Sequence, residues 1–399
     1  MTTTIPAYRR DIYGPAAIVD PYPHYARLRA LGPVVRLSRQ RALAVARYAD
    51  CKSVLLDDTT FVSGRGVALN PVANRLGRGT TLISDGDEHV QRRQTLAHRL
   101  TPKALRSMRE EIGERADAVV AAAVDRGTVD GVRDIAEALP TSFVPDLIGW
   151  PQEGREHLLR WAGATFDSLG PLNARAVRTA PASVAMMRFA RAVVRRRTML
   201  PGSMGDELLQ RVDRGELARS ECPALMVDYL APSLDTTISA IASSLMLLAQ
   251  HPEQWQALRD DRSLVPNAVN EVVRIHSPLR AFARVAAAET HIDGVTIPRG
   301  ARVVVLYASA NRDERQWQDP TRFDVTRDAT PQLGFGHGTH GCAGQGLARL
   351  ETQSILHSLL ERVERIELVG SPVWGLNNII HKLDQLPLRL VARRDGVQA

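Results

Sequence analysis

The chain has 399 residues, of which 44% are apolar and 24% charged, proportions that are ordinary for a globular protein. The formal net charge is +7, but no basic stripe is interleaved with aromatic residues, which argues against nucleic-acid binding. No apolar run is long enough to span a membrane, and with only three scattered cysteines (Cys51, Cys222 and Cys342) we expect no signal peptide, membrane anchor or disulfide framework.

No repeat, low-complexity run or Ser/Gly-rich linker divides the chain, so we expect a single domain over residues 1–399. The first 60 residues alternate between helical and extended patterns. Helices are predicted over Pro21–Leu31 and Ala49–Leu56, and short strands over Val34–Leu37 and Ala42–Ala46. This alternation predicts a small sheet to one side of a helical body.

Residues 61–84 contain four glycines and show little periodicity, which predicts a long loop. A helix with an acidic first turn is then predicted over Ser84–Leu100. Within it, His89 and Arg93 are four residues apart and therefore share one face. Taken alone, this pair is more typical of a solvated helix face than of a binding site.

Residues 103–202 are mostly helical by pattern, for example over Arg109–Val124 and Pro181–Met199. The stretch Trp161–Asn173 breaks that pattern, and we expect an irregular segment there. Phe166 in this stretch is either a core aromatic residue or one that reaches a pocket.

The longest apolar helical pattern runs from Glu221 to Gln250 and contains Asp235-Thr236 near its middle. The apolar residues on both sides indicate that this pair is not on an exposed surface. Pro232 lacks an N–H and clashes with the carbonyl one turn back, so we expect it to kink the helix. A further helix over Val265–His276 carries Glu271 and Arg274.

Extended segments follow over Leu279–Glu289 and, as a hairpin, over Ile292–Val305.

The segment Phe335–Gly344, Phe-Gly-His-Gly-Thr-His-Gly-Cys-Ala-Gly, then places one cysteine in a loop with four glycines, directly before a helical run. Glycines let such a loop fold tightly, and its N–H groups and the helix N-terminus favour an anionic sulfur. The pattern predicts that Cys342 is a single sulfur ligand for a metal; the alternative is a buried free cysteine.

The spacing Phe335-x-x-Gly338-x-x-x-Cys342-x-Gly344 resembles the haem-ligand loop of the cytochrome P-450 family. Three further motifs resemble that family and occur in its order, namely His89/Arg93, Asp235-Thr236 and Glu271/Arg274. The resemblance covers nearly the whole chain. It implies the cytochrome P-450 fold, mainly α with a smaller β region, and heme b (iron protoporphyrin IX) as cofactor, with Cys342 as the axial ligand of the iron.

The resemblance also implies roles for residues around the cofactor. The expected cofactor-binding residues are His89, Arg93, Arg284, Phe335, His340, Cys342 and Gly344; arginines suit the propionates because their planar fork binds carboxylates bidentately. Asp235 and Thr236 resemble the acid–alcohol pair that relays protons for O–O cleavage. Pro232 and Ser233 replace the usual Ala-Gly before the acid, which leaves the geometry of oxygen binding open. Arg322 is expected to close a structural Glu-Arg-Arg network with Glu271 and Arg274.

The implied activity is that of a soluble, bacterial-type, cytoplasmic monooxygenase. One atom of O₂ enters a small organic substrate, by hydroxylation or O-demethylation, and the other leaves as water. Nothing after Cys342 resembles a flavin or iron–sulfur domain, so electrons are expected from a separate ferredoxin and ferredoxin reductase. The expected docking face for that acidic partner is basic, formed by Arg92, Arg99, Lys103, Arg106 and Arg349.

For the substrate pocket, the resemblance and the pattern point to Val67, Leu69, Phe166, Ala231, Arg280, Phe282 and Ile379. The stretches Phe61–Leu69 and Thr165–Pro171 resemble bacterial members that oxidise small aromatics, including O-demethylation of methoxy-aromatics. Phe166 and Phe282 would then sandwich a ring, and Arg65 or Arg280 would meet a carboxylate or phenol oxygen. A terpene or a secondary metabolite is an alternative substrate.

Two other functions remain open from the sequence. The first is a peroxide-driven enzyme, or a rearrangement catalyst, on the same scaffold; such members often lack the acid–alcohol pair that is present here. The second is a non-enzymatic haem sensor or ligand carrier, although a sensor normally needs an output domain, and none is evident.

Overall fold

The computed structural model describes residues 4–393, which are mainly helical with a smaller β region. The helices are α1 Pro15–Val19, α2 Tyr22–Leu31, α3 Tyr48–Leu56, α4 Pro71–Leu76, α5 Gly86–Ala97, α6 Pro102–Arg126, α7 Ala138–Ile148, α8 Leu158–Leu169, α9 Ala174–Arg196, α10 Met204–Asp213, α11 Cys222–Gln250, α12 Pro252–Asp260, α13 Val265–Ile275, α14 Tyr307–Ala310 and α15 Gln345–Arg362. The fold class predicted from the sequence is therefore confirmed.

The strands are short and lie near the two ends of the chain. They are β1 Ala7–Tyr8, β2 Val35–Leu37, β3 Ala42–Val45, β4 Phe61–Val62, β5 Thr128–Asp130, β6 Phe282–Ala286, β7 Thr290–Ile292, β8 Val295–Ile297, β9 Arg302–Val305, β10 Val363–Leu368, β11 Val373–Trp374, β12 Leu383–Gln385 and β13 Pro387–Ala392. The largest sheet has the order β1-β2-β3-β9-β6-β4, and a second sheet has the order β10-β13-β5. In both sheets, therefore, strands that are far apart in the sequence lie next to each other.

Helix α11 occupies the centre of the helical body, because α7, α8, α9, α13 and α15 all pack against it. It is long and apolar enough to cross a bilayer by length and composition, but 83% of its apolar window is buried inside the protein. The helix continues through Pro232 without a break. The central position of α11 explains its all-round apolar sequence, since a helix that packs on every side has no polar face.

Three predicted segments are wrong or incomplete. The stretch predicted to be irregular, Trp161–Asn173, is helical through Leu169 because it forms most of α8. The loop predicted over residues 61–84 contains the strand β4 and the short helix α4, which Asn70 caps by accepting the N–H of Val72. The predicted hairpin is β7–β8, whereas β9 pairs with β3 and β6 instead.

The predicted Glu-Arg-Arg network forms with a different second arginine. Arg274 Nε donates to Glu271 Oε2 at 2.6 Å, and both side chains are fully buried. The second cation on Glu271 is Arg327, with Nε to Oε1 at 3.3 Å. Arg322 is wrong in this role, because its side chain is 63% exposed and pairs with Asp324; only its backbone carbonyl accepts a hydrogen bond from Arg274.

Candidate active site

A cavity of about 910 Å³ lies between α11, the start of α5, the loop before α15, and β6. Helices α8 and α9 and the loop that follows α4 complete its wall. Most of the lining is apolar, with a few polar and charged side chains among it. Such a mixture is typical of a site that binds an organic molecule and orients it with a small number of polar groups.

Cys342 lies at the floor of this cavity. Its N–H donates to the carbonyl of Phe335 at 2.8 Å, which closes the loop on itself. Gly338 has a φ of +67°, and a Cβ there would lie 2.6 Å from the carbonyl oxygen of Leu55. A side chain at that position would therefore be strained as well as obstructed, so the loop requires glycine there.

The sulfur of Cys342 is in an environment with opposing effects on its pKa. Burial raises the pKa of the thiol, while N–H groups of Gly344 and Gln345 and the guanidinium groups of Arg93 and Arg349 lower it. A metal cation that binds a thiol deprotonates it outright. The loop therefore provides N–H donors for a thiolate at the wall of the cavity.

The side chains that line the same cavity near Cys342 include His89, Arg93, Arg284 and His340. The rings of His89 and His340 are 4.1 Å apart between centroids. Arg93 donates to the carbonyl of Thr339 at 3.2 Å, which ties α5 to the cysteine loop. Arg284 is 4% exposed and donates to the carbonyl of Ala283 at 2.9 Å.

These residues fit a haem. The buried Nδ1 of His89 has no hydrogen-bond partner among the described residues, and the guanidinium groups of Arg93 and Arg284 line the same cavity as the thiol of Cys342. Burial, the neighbouring His340 and Arg93 lower the pKa of His89 to about 4, so the ring is neutral at physiological pH. A planar ligand with carboxylates at one edge and a metal at its centre would satisfy both the cations and the sulfur.

The two residues of the predicted proton relay point in different directions. Thr236 lines the cavity, but Asp235 does not. Asp235 is 4% exposed, and a Cβ on Gly163 of α8 would lie 3.4 Å from its Oδ2. That oxygen has no hydrogen-bond partner within residues 4–393. Burial raises the pKa of Asp235 to about 6, an effect that Lys382 opposes.

Phe166, Ala231 and Phe282 line the cavity as predicted, whereas four other predicted pocket residues do not. Val67 is 1% exposed and its carbonyl accepts a bond from Ala283. Leu69 packs against a separate apolar cluster at the N-terminal sheet. Ile379 lies behind the wall, in one apolar cluster with Phe166 and Phe282.

The fourth misplaced residue, Arg280, was predicted to meet a substrate oxygen. It is 2% exposed, donates to the carbonyls of Asn377 and Asn378, and lies over the ring of Tyr13 at 5.7 Å. Its role is structural, because it binds the C-terminal loop to the sheet. Arg65 is exposed and is not among the cavity residues, so neither predicted arginine reaches the pocket.

Two acids that line the cavity were missed by sequence reasoning, Asp228 and Glu351. Asp228 lies seven residues before Asp235, and nothing in the local pattern distinguishes it from a helix-surface acid. Glu351 is fully buried, and both of its carboxyl oxygens are without hydrogen-bond partners among the described residues. Burial raises its pKa to about 8. The apolar spacing of Leu347, Leu350 and Ile355 could have predicted a buried helix but not which charged residue faces inward.

Comparison with known proteins identifies the scaffold. The family model described as Cytochrome P450 matches residues 188–368. The chain is 38% identical to "Cytochrome p450 CYP199A2" of Rhodopseudomonas palustris, over 93% of this chain and 91% of that protein. It is 31% identical to the 6-deoxyerythronolide B hydroxylase of Saccharopolyspora erythraea, over 97% and 99% of the two chains.

Solved structures agree with the sequence comparisons. Cytochrome P450 CREJ, in complex with (4-ethylphenyl) dihydrogen phosphate, superposes with a TM-score of 0.86 at 26% identity, and the match covers 94% of this chain and 98% of that one. P450BioI, in complex with an acyl carrier protein that carries a fatty acid, gives a TM-score of 0.84 at 28% identity, over 94% and 99% of the two chains. Cys342 lines a cavity that fits a haem, and these matches show that the chain belongs to the cytochrome P450 family. It is a bacterial-type monooxygenase with haem b as its cofactor.

Proposed function

We propose that this monooxygenase, a single domain over residues 1–399, oxidises small aromatic compounds in the cytoplasm and removes the methyl group of methoxy-aromatics. The observation that carries the proposal is that Phe166 and Phe282 line the cavity that contains Cys342 and Thr236. Both rings belong to one apolar cluster, so they form an aromatic wall of the cavity in which the substrate would react. The aryl compound named in the CREJ complex supports an aromatic substrate on this scaffold.

We assign the binding of the cofactor to residues of three elements. Cys342 supplies the thiolate, and Arg93, Arg284, His89 and His340 supply the cations and hydrogen bonds for the propionates. When bound, the haem supplies activation of O₂ and insertion of one oxygen atom into the substrate. Aromatic and aliphatic side chains around it exclude water and hold the substrate in position.

The remaining task for the chain is to deliver protons. Because its pKa is raised to about 6, Asp235 exchanges a proton readily near neutral pH. Its carboxyl faces α8, and the Thr236 hydroxyl faces the cavity. A side-chain rotation of Asp235 would therefore carry a proton from the α8 side toward Oγ1 of Thr236. Thr236 then donates to the oxygen site through its hydroxyl.

Removal of a methyl group balances as a monooxygenation. The methoxy-aromatic, O₂, NADH and a proton give the phenol, formaldehyde, water and NAD⁺. The C–H bond of the methyl group is replaced by C–OH, and the hemiacetal that results breaks its C–O bond to the ring oxygen. The electrons come from NADH through a separate reductase and ferredoxin.

We place the ferredoxin on a basic face that is smaller than the sequence suggests. Arg92 pairs with Glu88 and Glu221, and Arg99 pairs with Glu207, so both charges are balanced within the protein. Lys103 and Arg106 at the start of α6 are exposed. Leu105 between them packs on α15, since a Cβ on Gly346 would lie 2.5 Å from its Cδ1. These two cations therefore lie close to the cysteine loop.

The test is turnover of 4-methoxy-substituted aromatics by the purified holoenzyme with NADH, a reductase and a ferredoxin. We expect one formaldehyde and one phenol for each product-forming cycle. Turnover with hydrogen peroxide alone, and none with the redox proteins, would favour a peroxide-driven enzyme. Oxidation of the ring or of an alkyl substituent without formaldehyde would contradict O-demethylation and leave aromatic hydroxylation.

A further inference from the structure

The cavity contains an acidic group that the proton relay and the cofactor do not use. Asp228 lies on α11 and lines the cavity together with its neighbour Tyr229. The N–H of Thr81, which is 147 residues earlier in the chain, donates to Asp228 Oδ2 at 2.7 Å. This hydrogen bond fixes the carboxylate at the junction of α11 and the loop before α5.

The charge of Asp228 is not neutralised by an ion pair within residues 4–393. The cation that acts on its pKa is Arg92, which itself bonds to Glu88 at 2.7 Å and to Glu221 at 3.5 Å. Burial raises the pKa of Asp228 to about 6, against the hydrogen bonds from Thr81. The group is therefore mostly ionised at pH 7.5, and the donors around it, the hydroxyl and N–H of Thr81 and the N–H of Leu82, do not fill all four acceptor sites of its two oxygens.

A second polar atom lies beside this carboxylate. The hydroxyl of Tyr229 is buried and has no hydrogen-bond partner among the described residues. A buried hydroxyl without a partner costs free energy unless a ligand satisfies it. Asp228, Tyr229 and Thr81 thus form a small polar patch in the wall of the cavity.

We propose that this patch anchors the polar end of the substrate, and that the substrate carries an N–H or O–H donor, as a protonated amine or a hydroxyl does, rather than a carboxylate. The inference rests on the proposed function for the position of the reacting end. A buried carboxylate accepts hydrogen bonds but repels an anion, since like charges in a low-dielectric site are strongly unfavourable.

The cations of the cavity wall do not change this conclusion. Arg93 and Arg284 face the cofactor's expected propionates. Arg78, Arg188 and Arg191 also line the cavity, but all three are exposed, so water and salt weaken their attraction for an anion. Asp228 is half-buried, so solvent weakens its charge less than it weakens the charges of these arginines.

The patch also specifies an orientation. Asp228 and Thr236 are eight residues apart on one helix, so about 12 Å of helix axis separates the anchor from the relay hydroxyl. A para-substituted ring that binds Asp228 through one substituent extends its other substituent along α11 toward the reacting centre. Para-substituted compounds are therefore preferred over ortho isomers with the same groups.

The experiment measures binding rather than turnover, by the change in the Soret band of the holoenzyme at pH 7.5. Four probes differ only in the substituent para to the methoxy group. They are 4-methoxybenzylamine, 4-methoxybenzyl alcohol, 1-methoxy-4-methylbenzene (the methyl compound) and 4-methoxybenzoate. We expect the amine and the alcohol to bind more tightly than the methyl compound, and the benzoate to bind most weakly. Tightest binding of the benzoate would overturn the proposal, as would a red-shifted Soret band that shows ligation of the amine to the iron.

The variants Asp228→Asn and Asp228→Ser assign the effect to this residue. The amide oxygen of Asn still accepts the Thr81 N–H, so this variant keeps the local structure. We expect a loss of about 10- to 100-fold in affinity for the amine, as for removal of a hydrogen bond to a charged group, and a gain for the benzoate. Affinity for the methyl compound is the internal control and stays unchanged.

An unchanged order of affinities in both variants would contradict the proposal. The failure of the proposed function is distinguishable from this result. If the donors bind through Asp228 but no formaldehyde forms in turnover, the anchor stands and O-demethylation does not. If formaldehyde forms equally from all four probes with equal affinities, O-demethylation stands and the anchor does not.

Discussion

Oγ1 of Thr236 donates a hydrogen bond of 2.6 Å to the carbonyl oxygen of Pro232, one turn back in α11. Ser233 makes the same kind of bond, from Oγ to the carbonyl of Tyr229, also at 2.6 Å. Because proline has no N–H, the carbonyl of Asp228 lacks its usual helical donor in this region. The relay hydroxyl is thus held by the helix beside a local defect, and it must exchange this bond for one with water or with the oxygen site.

Thr236→Ala removes that hydroxyl without a large change in volume. We expect NADH consumption to continue but product per NADH to fall by about tenfold or more, with hydrogen peroxide released instead. Thr237→Ala is the matched control, since Thr237 also lines the cavity but is not the predicted relay. Equal coupling in wild type and Thr236→Ala would remove Thr236 from the relay.

Cys342→Ala should abolish thiolate ligation. We expect the dithionite-reduced protein with carbon monoxide to lose the strongly red-shifted Soret band that a thiolate opposite CO produces. Cys51→Ala and Cys222→Ala serve as controls, because both cysteines are buried away from the cavity wall. Retention of the band in Cys342→Ala, or its loss in either control, would contradict the assignment.

Arg327→Ala should destabilise the fold, and Arg322→Ala should not. Arg327 pairs with the fully buried Glu271, so its removal costs about 1–3 kcal/mol. The exposed side chain of Arg322 contributes within roughly 0.5 kcal/mol. Thermal unfolding and haem content of both variants measure the difference. A larger loss of stability in Arg322→Ala than in Arg327→Ala would show that Arg322, not Arg327, is the second cation on Glu271.

Glu351 should make stability fall as pH rises. Its folded pKa of about 8 is above the ordinary value, so the neutral acid is favoured in the folded state, and stability is lost between the ordinary pKa and about pH 8. The expected loss is roughly 3–5 kcal/mol. Glu351→Gln keeps the shape without the charge, so denaturant unfolding at pH 5 and pH 9 should show a flatter profile. Parallel profiles in the two proteins would exclude a buried charge at this position.

Charge reversal at Lys103 and Arg106 should slow reduction by ferredoxin. We expect the association rate of the double variant Lys103→Glu, Arg106→Glu to fall by about tenfold at low salt, with the difference shrinking as salt is added. Arg36→Glu on the exposed face of β2 is the control. Stopped-flow reduction that is equally fast in the double variant would place the docking face elsewhere.

The cysteine loop shows how much the sequence alone can determine. Its glycines, its phenylalanine and the helix after it are local features, because the turn and the thiolate environment are made by residues within one segment. The order of His89/Arg93, Asp235-Thr236, Glu271/Arg274 and Cys342 then sufficed to predict the family, the fold class and the cofactor. Long periodic segments such as α11 were also predictable, since burial on all sides shows directly in the composition.

The direction of individual side chains was decided by tertiary structure. Arg280 and Arg65 have the right chemistry for a substrate carboxylate, but neither reaches the cavity. Arg280 donates to the backbone of the C-terminal loop, and Arg65 is exposed. Arg327 replaces Arg322 at Glu271 because the chain between them turns back toward α13. Asp228 becomes a cavity acid only because the backbone of Thr81 reaches it across 147 residues. Helical spacing fixes which residues share a face, whereas the partner that covers that face comes from elsewhere in the chain.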